Sequence, residues 1–267
     1  MTVREDEQQG ARRIVVTLDA SACGRAALEA AAQLAAEMQA ELQGLFVEDV
    51  DLLRLAKLPL ASEIPLLCAV PRQLESTRIQ CAFRAHAEKV RQAMAEAADR
   101  LRLRWSFQVL QGDVVRTSRA LAEEAELLIL GWAETAASGL SHGAQRTPIA
   151  VAGSILVIDE GSPNSDRVLR AAVEFAQVKL GELLVLSPAA KVGEWSARER
   201  QIGQFLQRCG VRYAIQPLPK LAARTIVELA ERLRSRLLLL VLRSDLLSES
   251  EVEILVKQLE CPLVLVP

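Results

Sequence analysis

The sequence predicts an α/β protein built from two tandem copies of one module, each with a parallel sheet covered by helices. Three observations carry this. A short apolar run ending in aspartate, Arg13-Ile14-Val15-Val16-Thr17-Leu18-Asp19, returns as Ser154-Ile155-Leu156-Val157-Ile158-Asp159. Each run leads into a helix-like stretch (apolar at Leu28, Ala31, Ala32, Leu34 and Ala35, then at Leu169, Ala172 and Phe175) and on to a second apolar run, 44–47 or 183–186. The phase also holds: Asp159 lies 140 positions after Asp19, while Leu169 and Leu183 lie 141 after Leu28 and Leu42. Repetition at one period marks a repeated structural unit.

In the first copy, strand 14–18 is followed by an alanine-rich helix, 23–40, and a second strand, 42–47. Segment 49–75 is an insertion, since Pro59, Pro65 and Pro71 break any long helix and leave room for one short one. Ile79, Phe83, His86, Val90, Met94 and Leu101 then recur at helical spacing and predict a long amphipathic helix. Strand 105–110, helix 116–125 and strand 127–130 follow, the last running into Gly131. A loop of small residues leads through 147–151 to the strand at Ile155.

The second copy repeats the order, with strands 155–158, 183–186, 211–216, 237–242 and 263–266. Its helices fall near 166–180, 195–209, 222–235 and 248–260, the last opened by a capping box of Ser248 and Glu251. Alternating strands and helices imply parallel pairing with right-handed crossovers. Ligands of such sheets bind beyond the carboxyl ends of the strands, where strand order reverses. Asp19, Gly131 and Asp159 sit at such ends.

Composition narrows the function. With 267 residues, 51% hydrophobic and 3% aromatic, the chain has an aliphatic core and few rings for stacking on bases. A net charge of -2 and a pI near 5.9 give no basic footprint for nucleic acid. Cys23, Cys68, Cys81, Cys209 and Cys261 form no C-x-x-C pair and are odd in number, which fits buried thiols in a reducing compartment. Residues 1–13 lack the apolar segment of a secretory signal, and the longest aliphatic run, 237–242, is too short to cross a bilayer. A soluble cytoplasmic protein is expected.

These residues resemble the universal stress protein family, in tandem. The strand ending in Asp19, the alanine-rich helix, the strand 44–49, the stretch Val109-Leu110-Gln111-Gly112, the helix reaching Ala125-Glu126-Leu127 and the strand ending at Gly131 match its layout. The resemblance implies two Rossmann-like domains of the adenine-nucleotide alpha hydrolase-like type, each with a five-stranded parallel sheet. Their bounds would be 13–153 and 154–267, after a disordered tail of 1–12. It also implies that the two copies pack together through their last strands, 155–158 and 263–266. Whether two chains pair further as a homodimer stays open; an unidentified protein partner is expected, with no nucleic acid and no membrane.

One branch of that family binds ATP through G-x2-G-x9-G-[ST] after the fourth strand. Counted from Gly131, the pattern asks for glycine at 134 and 144 and Ser or Thr at 145. The chain has Glu134, Ala144 and Gln145, with Gly143 one place early. Phosphate binding needs backbone amides to approach closely, which glycine permits, and a carboxylate at 134 would oppose it. Asp19 and Val47 match the positions that meet the adenosine moiety and the base. The nucleotide-binding candidates are therefore Asp19, Val47, Gly131, His142 and Gly143. In the second copy Arg243-Ser244-Asp245 follow the fourth strand with no room for a phosphate loop, so that copy is expected to be a structural partner.

Competing readings are weaker. Gly139-Leu140-Ser141-His142-Gly143 fits the G-x-S-x-G nucleophile elbow, but it does not follow a strand directly and no later histidine completes a triad. Asp49 and Asp51 offer two carboxylates without further metal ligands, so a solvated strand end is the default. His86 falls on an apolar stripe and reads as a packed side chain. No catalytic pair is identifiable, so no enzyme is expected, although weak ATPase activity stays open. The expected function is a non-catalytic universal stress-type role in stress adaptation, with weak binding of ATP, with magnesium, through the first copy. The alternative is a nucleotide-independent interaction module of the same fold.

Overall fold

The computed structural model describes residues 12–19, 22–58, 62–63, 72–73, 76–122, 125–131, 153–178, 181–188, 192–218, 222–244 and 246–267. The first half places β1 (Arg13–Leu18), α1 (Ala22–Met38), β2 (Glu41–Asp49), α2 (Val50–Leu55), β3 (Ser62–Glu63) and β4 (Arg72–Gln73) in turn. It continues with α3 (Ser76–Leu101), β5 (Trp105–Gly112), α4 (Val114–Ala122) and β6 (Leu127–Gly131). The second half holds β7 (Ser154–Ile158), α5 (Ser165–Gln177), β8 (Glu182–Pro188), α6 (Val192–Arg208) and β9 (Tyr213–Leu218). It ends with α7 (Ala223–Arg232), β10 (Leu237–Val241), α8 (Glu249–Gln258) and β11 (Leu263–Val266).

Local chemistry explains where the helices begin and stop. Asp49 Oδ1 accepts the amides of Asp51 and Leu52 and so caps α2, a short helix of the insertion. The predicted box at α8 is present: Ser248 Oγ accepts the Glu251 amide, and the Glu251 carboxylate accepts the Ser248 amide at 3.0 Å. Arg102 (φ 55°) and Gly210 (φ 68°) take left-handed backbone just beyond α3 and α6, closing both helices alike. The described backbone starts at Arg12, whose carbonyl accepts the Glu41 amide at 2.9 Å.

Nine strands form one sheet in the order β5-β2-β1-β6-β11-β10-β7-β8-β9. Pairing is parallel within each half and antiparallel at the seam, where Leu263, Val264 and Leu265 of β11 face Leu130, Ile129 and Leu128 of β6. The two α/β halves are thus as expected, with one difference of count. Among the described residues the first half supplies four strands and the second five. The strand at 155–158 lies inside the second half, between β10 and β8, and takes no part in the seam. The open edge of β6 meets β11 instead, which leaves no bare apolar edge in the middle of the sheet.

Helices cover both faces. Residues of α1, α3, α5 and α6 share one core with Ile14, Val16, Ile155 and Val157, so that layer runs across both halves. On the other face α7 and α8 pack over Leu128, Leu130, Leu238 and Leu240. Because β6, β10 and β11 are buried along their whole length, their sequences are continuous apolar runs.

Two outcomes follow. Ile129→Ala at the seam should cost about 2–5 kcal/mol, and because both halves share one sheet, calorimetry should show a single transition moving to lower temperature. Burial pushes the Cys261 thiol up to about 12, while Cys81 is exposed. Iodoacetamide at mildly alkaline pH should therefore label Cys81 in the native protein, and peptide mapping should find Cys261 labelled after unfolding.

Candidate functional site

In each half the chain leaves the first strand toward the second and third on one side, then crosses over to the fourth on the other. The crevices at strand-order reversal therefore open between β1 and β6 and between β7 and β10. At the first, Leu18 pairs with Gly131, which sets Asp19 one residue beyond, over the carboxyl end of β1. Asp19 is partly exposed, and its carboxylate overhangs the start of α1. A Cβ on Gly24 would come within 2.6 Å of Asp19 Oδ1, so the turn requires glycine there.

The same register carries Val47 level with Asp19, two residues past the Thr17–Leu45 pair. Val47 is fully buried, clustered with Leu45 and packed against Leu110 and Leu121. Beneath the crevice, Thr17 Oγ1 and Ser118 Oγ are 2.8 Å apart and both fully buried, tying β1 to α4. His142 and Gly143 lie outside the described residues, as do Glu134, Ala144, Gln145, the G-x-S-x-G segment and 147–151. The register thus brings together Asp19, Val47 and Gly131.

Strand pairing corrects one alignment. Ile14 pairs with Leu42 and Leu127, and Ile155, which lies 141 positions later, pairs in the same way with Leu183 and Leu237. At that offset Asp19 corresponds to Glu160, and Asp159 corresponds to Leu18. Burial agrees: Asp159 is 0% exposed and Leu18 1%, whereas Asp19 and Glu160 are both partly exposed. The two aspartates look alike in sequence but occupy different register positions.

Asp159 points into the helical layer. Arg198 of α6 grips it with two hydrogen bonds, Nε to Oδ2 at 3.0 Å and Nη2 to Oδ1 at 2.5 Å. Ser187 Oγ donates to Oδ2 at 3.0 Å, and Asp166 Oδ1 takes a further bond from Arg198 Nη2 at 3.1 Å. The hydrogen bond to Asp159 holds the Arg198 guanidinium above its ordinary pKa despite partial burial. Tyr213 lies 108 positions after Trp105, and Gly210 lies 108 after Arg102, so Arg198 corresponds to Val90. Ser187, 141 after Phe46, corresponds to that residue. Leu18, Phe46 and Val90 are buried members of the apolar core of the first half. The second half has exchanged all three for a polar cluster.

Its crevice is also closed. Ser244, just past β10, hydrogen-bonds Glu160 across the end of β7, and its Oγ accepts the amides of Leu246 and Leu247 at 3.1 and 2.8 Å. Those amides are the kind a phosphate would need. Sequence reasoning missed Arg198, Ser187, Glu160 and Ser244. One signal was available: Arg198 lies four residues before buried Ile202 and eight before buried Leu206, on the apolar stripe of α6.

Other candidates resolve simply. Asp49 is occupied as the α2 cap, and Asp51 pairs with Arg54 at 3.0 Å, so the two carboxylates do not converge on one point. His86 is exposed, because the buried stripe of α3 runs through Ala87, Val90, Met94 and Ala97 beside it.

No family model matches the chain, and no curated relative does. Solved structures do match. A universal stress protein from Archaeoglobus fulgidus superposes with TM-score 0.53 at 13% identity, over 96% of this chain and 98% of that one. A functionally unknown protein from Pseudomonas aeruginosa gives 0.47 at 15%, over 97% and 93%. A universal stress protein in complex with cAMP gives 0.37 at 16%, over 43% of this chain and 96% of its own.

The polar cluster makes its own prediction. Arg198→Met strands a buried carboxylate and should cost about 3–5 kcal/mol, whereas Asp159→Leu, Ser187→Phe and Arg198→Val together, which copy the first half, should restore most of that in urea unfolding. Taken with the Archaeoglobus likeness, these halves give the chain the fold of a universal stress protein over nearly its whole length.

Proposed function

We propose that this chain is a non-catalytic, cytoplasmic protein of the universal stress type, acting in stress adaptation through regulated association with a protein partner. In this reading it binds adenine nucleotide, as ATP with magnesium, weakly and through the first half alone. The observation that carries the reading is the meeting of Asp19 and Gly131 at the switch point between β1 and β6, where α/β sheets hold their ligands. The second crevice supports a one-site stoichiometry, since Ser244 and Glu160 span it. Among the described residues no helix is long and apolar enough to cross a membrane, which accords with this reading. The departures from glycine at 134 and 144 weaken the phosphate grip and account for low affinity.

Calorimetric titration of ATP and magnesium into nucleotide-stripped protein should give one site per chain. Asp19→Ala should weaken binding about tenfold, a loss of the size expected for one charge-assisted hydrogen bond. Glu160→Ala should leave binding unchanged, and no ADP should accumulate. Absence of both heat and thermal shift at millimolar ATP would leave the nucleotide-independent interaction module as the standing reading.

A further inference from the structure

The nine-stranded sheet ends on β5 at one side and β9 at the other, and the two edges are finished differently. In a parallel pair, alternate residues turn their amide and carbonyl toward the neighbouring strand. The Leu183 amide bonds the Arg212 carbonyl at 3.0 Å, so the odd-numbered residues of β9 turn theirs outward. Pro217 is one of them, and it has no N–H to offer a further strand. That edge is blunted.

β5 has no such device. The Leu42 amide bonds the Arg104 carbonyl at 3.0 Å, so Trp105, Phe107, Val109 and Gln111 turn their backbone outward, where among the described residues no strand meets them. The strand holds neither proline nor a charged residue over its whole length, Trp105–Gly112. Gln108 and Val109 point to opposite faces and both are exposed, Val109 at 45%, so neither helical layer overhangs the middle of the edge. A long, uncharged and accessible edge is a template for another strand.

Charge selects the occupant. The amino end of β5 is basic: Arg102 and Arg104 are exposed, and neither forms an ion pair among the described residues. Its carboxyl end is acidic, with exposed Asp113 next in the chain and Glu48 level with Gln111 on β2. A strand run antiparallel to an identical one sets each basic end against an acidic end, which a two-fold axis then satisfies twice.

We propose that a second copy of this chain docks on β5, edge to edge and antiparallel, about a two-fold axis through Gln108. In this register Phe107 lies opposite Val109 of the second copy and Trp105 opposite Gln111, so all four outward residues exchange main-chain hydrogen bonds. Arg104 lies opposite Gly112, beside Asp113. The assembly closes as a dimer, because both of its outer edges are then β9 with Pro217. None of this rests on the nucleotide reading.

Sedimentation equilibrium of the full chain at about 100 μM should give twice its mass of 29.2 kDa. Val109→Lys sets like charges close to the axis and should weaken the dimer about a hundredfold. Val109→Pro removes an outward amide but no bond to β2, and should do the same. Tyr213→Lys on β9 should leave the mass unchanged. Gln108 of the two copies forms a closely spaced, non-hydrogen-bonded pair, so Gln108→Cys should yield, on mild oxidation, a disulfide between the two 108 positions in peptide mapping. A chain that stays monomeric at that concentration would overturn the proposal. So would a dimer that survives both changes at Val109, one lost in Tyr213→Lys, or one that forms no disulfide at position 108.

Discussion

The middle of this sheet has no face turned to water, and the rest of the molecule is arranged around that constraint. β6, β10 and β11 are buried at every residue, and β1 at every residue after Arg13. Such strands are stabilised by apolar contact on both sides, and any polar group placed among them must bring its own partner. Each buried polar side chain discussed above obeys this. Thr17 is matched by Ser118, and Asp159 by Arg198 and Ser187. The seam obeys it as well, since two apolar strand edges at the centre have been joined to each other.

The same constraint explains what the sequence disclosed and what it concealed. Every strand of the nine-stranded sheet and every long helix could be placed from apolar runs and helical spacing, and the cap at Ser248 from its box. Register could not. In a strand buried on one face, alternation fixes which residues point inward, and a slip of one is penalised at once. Ile14–Leu18 and Ile155–Ile158 have no alternation, so aligning two conspicuous aspartates carried no visible cost. Hydrogen-bond pairing to β2 and β8 shows that Asp159 occupies the place of Leu18. The crevice at the first switch point was legible at Asp19 and Gly131, which strand ends reveal. The polar cluster was not, because its members are brought together from β7, β8, α5 and α6 by tertiary packing.

Within one fold the two halves have moved in different directions. The first keeps an apolar interior beneath its helical layer and an aspartate beside the switch point. The second has joined Ser244 to Glu160 across its switch point and holds the Asp159–Arg198 ion pair beneath its helical layer. Antiparallel joining at the seam sends the carboxyl ends of β1 and β7 toward opposite edges of the sandwich. The two switch points are therefore far apart in the architecture and share no side chains. They are linked through the common core beneath α1 and α5.

The seam has a consequence for how the chain reaches this state. Leu130 and Leu263 are neighbours in space but 133 positions apart in sequence. Pairings of such separation close large loops and form late, after local helix packing and the nearer strand pairs. Until then β6 and β11 are apolar edges with unsatisfied backbone groups, the kind of surface that recruits another chain. Kinetic competition between closing the seam and pairing with a neighbour is thus written into the topology, and dilution or a holding chaperone would favour the productive branch.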